Sequence, residues 1–192
     1  MNTPATPPVT PPVTPPKLRI ATCSLAGCFG CHMSFLDVDE ALADLIEHIE
    51  FDRSPLTDIK HCSEHVDIGL IEGGVCNREN VEVLREFRSR CTLLVAVGAC
   101  AMYGGVPALR NGIPVAELVH EAYLGADLLN PQVPCDPELP PLLKNVLPLH
   151  EVVAIDVTLA GCPPPAAAFR ELIVAQLEHR AATLPREARH FD

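Results

Sequence analysis

Four β-prone, largely apolar runs, each followed by a segment of different texture, constrain this chain more than any other feature. They are KLRIATCSL (17–25), HVDIGLIEGG (65–74), CTLLVAVGAC (91–100) and EVVAIDVTLAGC (151–162). After the first run, SFLDVDEALADLIEHI (34–49) repeats Phe35, Val38, Leu42, Leu45, Ile46 and Ile49 at helical spacing, with Ser34 as the expected cap and Asp37 three residues on. After the second, NRENVEVLREFRSR (77–90) carries the stripe Val81, Leu84 and Phe87. After the fourth, PPPAAAFRELIVAQLEHR (163–180) opens on prolines suited to a first helical turn and closes on His179 and Arg180, which suit a helix C-terminus. Strands apolar on both faces must be covered on both faces. Alternation with helices therefore predicts an α/β fold, a doubly wound parallel sheet, and 192 residues suit a single domain.

The pattern loosens between 101 and 149, where Pro- and Gly-rich segments surround one helical candidate (115–129). An insertion of that size is expected to be irregular and to face a partner. Residues 1–16 form a Pro-rich N-terminal tail that favours extended polyproline II, and residues 181–192 form a C-terminal tail.

The formal charge of -11 argues against nucleic acid as a partner, because a phosphate backbone is bound by clustered Lys and Arg. No apolar run is long enough to span a bilayer, and the N-terminus has no charged-then-apolar secretory layout. The expected setting is the cytoplasm, away from membranes, where thiols stay reduced. The nine cysteines are then metal ligands and small buried apolar residues rather than disulfides.

Four of them share a structural property. Cys28 and Cys31 follow the first strand, Cys100 ends the third, and Cys162 ends the fourth. In an open parallel sheet those strand ends lie along the ligand-binding edge, so residues distant in sequence converge. Four thiolates suit zinc or an iron-sulfur cluster. Structural zinc sites generally use two local C-x2-C knuckles, whereas this chain has one and two distant single cysteines. Gly27, Gly30, Gly98 and Gly161 allow close approach of a bulky core, Pro163 follows Cys162 as proline follows cysteine in bacterial ferredoxin motifs, and helix N-termini near Ser34 and Pro164 would face a negative cluster. The constellation fits a single 4Fe-4S centre.

Cys23 and Cys91 lie in apolar strands, and Cys62 and Cys135 have no clustered neighbours; Cys76, in EGGVC, falls nearer the same edge. A thioredoxin-like redox pair at Cys28 and Cys31 would leave GAC and GCPPP unexplained, and a structural zinc protein is the alternative of a different class.

GCFGCHMSFLD, IEGG, VGACAMYGGVPALRNG and LAGCPPP, in that order, resemble the small subunit of NiFe hydrogenases over residues 17–180. The resemblance implies a flavodoxin-like domain in which Cys28, Cys31, Cys100 and Cys162 hold a 4Fe-4S cluster facing a nickel-iron centre on a separate large subunit. Larger respiratory members carry a second domain with further clusters and a twin-arginine export signal; the sequence here shows neither, so one cluster and a cytoplasmic location are expected. EGGVCN and GGVPALRNG look most like the cytoplasmic NAD-reducing type, in which diaphorase subunits bearing FMN and further iron-sulfur clusters reduce NAD.

The implied role is electron transfer, with no catalytic residue on this chain. The fingerprint G-x-G-x-x-G of dinucleotide binding is absent. FMN is not assigned to this chain, because the loop that holds its phosphate in flavodoxin here carries Cys28 and Cys31. Glu72, in the EG motif, is either a proton relay or partner-orienting carboxylate, or a capping or interface acceptor. His32 is either a hydrogen-bond donor to a cluster sulfur or a loop histidine. Small subunits of F420- or sulfur-reducing hydrogenases would share these motifs. The quinone-reductase cluster subunit of complex I resembles a version with adjacent cysteines, whereas Phe29 and Gly30 separate Cys28 from Cys31.

Overall fold

Each long apolar run supplies a strand, and those from the second and third runs are buried along most of their length. The computed structural model describes residues 16–125, 127, 129–184 and 186; the tail up to residue 15 and most of the C-terminal tail lie outside the described residues. In chain order the elements are β1 (Leu18–Ser24), α1 (Gly30–Leu36), α2 (Glu40–Ile46), β2 (Ile49–Phe51), β3 (Val66–Glu72), β4 (Val75–Asn77), α3 (Arg78–Arg90), β5 (Cys91–Val97), α4 (Gly98–Tyr103), α5 (Val115–Tyr123), β6 (Leu142–Leu147), β7 (Val157–Leu159) and α6 (Ala166–Leu177).

The main sheet runs β2-β1-β3-β5-β7 and is parallel throughout. Numbering only its own strands, this is the 2-1-3-4-5 order of flavodoxin-like folds, and the direction of winding reverses between β1 and β3. On one face Phe35 of α1, Leu45 of α2 and Phe169, Leu172 and Ile173 of α6 pack with Ile20, Ile68, Leu70 and Val95. On the other, Leu84 and Phe87 of α3 pack with Ala21, Ile71, Leu94 and Ala96. The doubly wound expectation holds.

Several boundaries differ from the sequence pattern. The helix expected over 34–49 is two, because the chain bends at 37–39, where Asp39 has φ of 53°. Ser34 is therefore inside α1 and caps nothing. The residues after the break end in β2, a fifth parallel strand of only three residues. The run 91–100 leaves the sheet at Val97, because Gly98 (φ 79°) turns the chain into α4. The run 151–162 contributes only Val157–Leu159 to the sheet. Asn77 caps α3 by accepting the Asn80 N–H at 2.8 Å.

The stretch 101–149 is less irregular than its composition suggests. Its β6 pairs antiparallel with β4, Asn111 exchanges two hydrogen bonds with the Val146 backbone (2.8 and 2.7 Å), and Arg110 donates to the carbonyls of Cys76, Leu143 and Lys144. Among the described residues no helix is long and apolar enough to cross a membrane.

Asp156 ties the start of β7 to β5, accepting from Leu94 N–H (2.7 Å) and Arg88 Nη1 (2.6 Å). Burial works against its charge, but these two donors more than offset it and hold the carboxyl below the usual range. A depressed carboxyl stabilises the fold above its unfolded value of about 3.9 and ceases to as pH falls through the lower folded value. Asp156→Asn is expected to cost about 1 kcal/mol at pH 7. The gap from wild type, read by urea unfolding, should narrow below about pH 4.

Candidate metal centre

The exits of β1, β3, β5 and β7 build one pocket at the C-terminal edge of the sheet, beside the winding reversal. Cys28, Cys31, Cys100 and Cys162 all line it, together with Gly27, Gly30, Glu72, Gly73, Ala99 and Pro163, around a free volume of about 60 Å³. Cys28 and Cys162 are exposed; Cys31 and Cys100 are half-buried. Each arrives by a different local device. Phe29, at φ 67°, turns the chain after Cys28 so that Cys31 falls in the first turn of α1. Cys100 lies in the first turn of α4, three residues beyond the strand end rather than on it. Cys162 lies in the loop between β7 and α6.

The backbone binds these exits together. Ala99 N–H donates to the Gly161 carbonyl at 2.9 Å, joining the α4 turn to the Cys162 loop, and Ala26 and Gly74 exchange two hydrogen bonds (3.0 and 2.8 Å) between the exits of β1 and β3. Two glycines are required by the sulfurs themselves. A Cβ on Gly98 would stand 2.5 Å from Cys31 Sγ, and one on Gly105 would stand 2.7 Å from Cys100 Sγ.

The donor set and this cradle fit an iron-sulfur cluster. The thiols of Cys28, Cys31, Cys100 and Cys162 line a common space, the arrangement a polynuclear core needs. Burial is the chief cause that pushes the Cys31 thiol far up, followed by the neighbouring Glu72 charge and the thiols of Cys100 and Cys28. Burial also raises Cys100, against a hydrogen bond from Val106. Metal is bound by thiolates, and burial disfavours the thiolate at Cys31 and Cys100, so loading would release protons there.

Glu72, only 3% exposed at the end of β3, accepts Cys31 N–H (2.9 Å) with one oxygen and pairs with His32 Nδ1 (2.8 Å) through the other. Burial opposes its charge, but hydrogen bonds from His32 and Ser24 hold the carboxyl below its ordinary range. His32 is not part of the four-cysteine pocket. Its ring stacks on Phe29 with centroids 4.6 Å apart, and it borders a separate void of about 10 Å³ with Thr22, Leu70 and Phe169. Cys76 also lies off the pocket, its Sγ 3.3 Å from Asn80 Oδ1. Cys62 and Cys91 are buried in the core around α3. Sequence reasoning missed Gly105, whose signal was the GG pair in a stretch read as irregular, and the true partner of Ser34, which donates to the Pro164 carbonyl.

A flavodoxin-like sheet with four thiols gathered at its switch-point edge defines a class, α/β domains with a thiol-lined ligand site at the carboxyl ends of the strands. The family described as NADH ubiquinone oxidoreductase, 20 Kd subunit, matches residues 28–176. The delta subunit of the NAD-reducing hydrogenase HoxS of Cupriavidus necator is 42% identical over 180 residues, covering 92% of this chain and 86% of that one. One component of the F420-non-reducing hydrogenase of Methanothermobacter marburgensis is 38% identical over 175 residues, covering 88% of this chain but 56% of its own length. Among solved structures, an NAD+-reducing [NiFe]-hydrogenase in the H2-reduced state superposes with a TM-score of 0.89 at 51% identity, covering 92% of this chain and all of that one. A Ni-Fe-Se hydrogenase of Desulfomicrobium baculatum shares the fold alone, at a TM-score of 0.57 and 17% identity. The chain belongs to the NADH ubiquinone oxidoreductase 20 Kd subunit family, as a NiFe-hydrogenase small subunit most like the NAD-reducing type.

Proposed function

We propose that this chain is the electron-transfer subunit of a cytoplasmic NiFe hydrogenase that passes electrons from hydrogen to NAD. The observation that carries the reading is the single pocket lined by Cys28, Cys31, Cys100 and Cys162 in a chain so similar to an NAD+-reducing [NiFe]-hydrogenase subunit. These four cysteines would hold one 4Fe-4S cluster, which when bound supplies one-electron transfer at the sheet edge. The protein's own contribution is to fix the four sulfurs, exclude bulk from their midst at Gly98 and Gly105, and present an exposed edge to a partner.

Residues 17–180 would form the cluster domain, and the 101–149 stretch would face the large subunit that carries the nickel-iron site. Val106 and Leu109, 70% and 77% exposed, give that stretch an apolar surface fit for burial against another chain. FMN and further iron-sulfur clusters would reside on diaphorase partners, and hydride transfer to NAD with them.

The test is to purify the complex anaerobically through this chain and assay hydrogen-dependent reduction of NAD, F420, polysulfide and quinone. Nickel in the co-purified large subunit and reduction of NAD in preference to the other acceptors are expected. Preference for F420 or polysulfide would move the chain to another hydrogenase branch. Quinone reduction by a complex without nickel would move it to the complex I side of the family and overturn the hydrogenase reading.

A further inference from the structure

A single helical turn, Cys31-His32-Met33-Ser34, reaches the pocket, the end of β3 and the loop that carries Cys162 at once. Cys31 Sγ lines the four-thiol pocket. His32, 5% exposed, turns beneath it and gives its Nδ1 to Glu72 at 2.8 Å; a carboxylate accepts only, so Nδ1 carries the hydrogen. The second oxygen of the same carboxylate receives Cys31 N–H at 2.9 Å. Ser34, 7% exposed, donates its hydroxyl at 2.6 Å to the carbonyl of Pro164, two residues beyond Cys162 and 130 residues away in sequence. Met33, between them, is 53% exposed.

The four cysteines come from three separate exits of the sheet. Bringing the Cys28–Cys31 loop against the Cys162 loop carries a loop-closure cost that the incoming iron must otherwise meet. Buried side-chain contacts that span the two loops lower it in advance. Nε2 of His32 is buried and has no hydrogen-bond partner among the described residues, so the ring's polar contact is the one through Nδ1, with Phe29 stacked against it.

Resting on the cluster reading above, we propose that His32 and Ser34 are positioning residues. His32, through Glu72, pins the Cys31 backbone to the end of β3, and Ser34 fastens the same turn to the Cys162 loop, so that the ligand set is held together before iron arrives. Neither side chain touches the cluster in this account. Partners of this kind typically carry 10- to 100-fold in metal retention.

The test follows iron release to a chelator from the anaerobically purified complex, with the cluster's midpoint potential measured alongside. His32→Phe keeps a stacking ring and loses Nδ1; Ser34→Ala loses only the hydroxyl. Each is expected to release iron at least about tenfold faster than wild type. His32→Asn, whose amide nitrogen can occupy the Nδ1 position, is expected to restore the slow rate, and His32→Gln, which reaches only toward Nε2, is not. Wild-type release rates and potentials in both His32→Phe and Ser34→Ala would overturn the inference and leave the cluster reading standing. Rescue by His32→Gln instead of His32→Asn would overturn the route through Glu72. A wild-type complex without acid-labile sulfide would remove the cluster reading, and this inference with it.

Discussion

Gly98→Ala is expected to strip the pocket of iron while leaving the sheet folded. Two effects coincide at this residue. Its φ of 79° lies where an L side chain costs about 1–2 kcal/mol. The new methyl would also sit 2.5 Å from Cys31 Sγ and 3.4 Å from the Gly161 carbonyl oxygen. Overpacking of this kind typically costs about 1–3 kcal/mol, and the atom that must yield is the sulfur itself. Iron and sulfide assays on the complex, read beside circular dichroism, should show metal lost and secondary structure kept. Gly112→Ala is the matched control, since Gly112 has φ of 97° but nothing within 4 Å of its Cβ position. It carries the backbone penalty without touching a thiol and should retain its iron. Full iron in Gly98→Ala would mean that Cys31 does not point into a metal core.

The second large effect is expected at Cys100 and Cys162. A serine oxygen is a harder and poorer ligand for iron than a thiolate, so Cys100→Ser or Cys162→Ser should abolish the hydrogen-reducible signal of this cluster in electron paramagnetic resonance and, with it, hydrogen-dependent NAD reduction. Cys162 is exposed, so the exchange leaves the core untouched. Cys76→Ser discriminates ligand from bystander. Its sulfur faces Asn80 rather than the pocket, and the signal should survive. Loss of the signal in Cys76→Ser and its survival in Cys100→Ser would exchange the two assignments.

Much of this was legible in the sequence because it depends on local pattern. β1, β3 and β5 are β-prone, largely apolar runs, and the stripe of α3 is regular. The four cysteines could be grouped without any knowledge of distance, because parallel strands put their C-terminal ends on one edge whatever the loops do. What was illegible depends on single backbone choices or on contacts across the chain. The break between α1 and α2 falls in Asp37-Val38-Asp39, which has neither glycine nor proline, while the apolar spacing of Phe35, Val38, Leu42 and Leu45 runs straight through it. β2 has three residues, of which Ile49 alone is buried, and no period can be read from so few. Ser34 looked like a helix cap because its true acceptor lies 130 residues away. Gly105 guards Cys100 from within a stretch whose composition suggested only irregular chain.

Everything proposed for this chain depends on Cys28, Cys31, Cys100 and Cys162 holding one 4Fe-4S cluster. Counting iron, acid-labile sulfide and zinc in the anaerobically purified complex, wild type against Cys162→Ser, tests it most directly. The variant is expected to lose about four irons and four sulfides, with the large subunit's nickel retained. One tightly bound zinc with no difference in sulfide would contradict it.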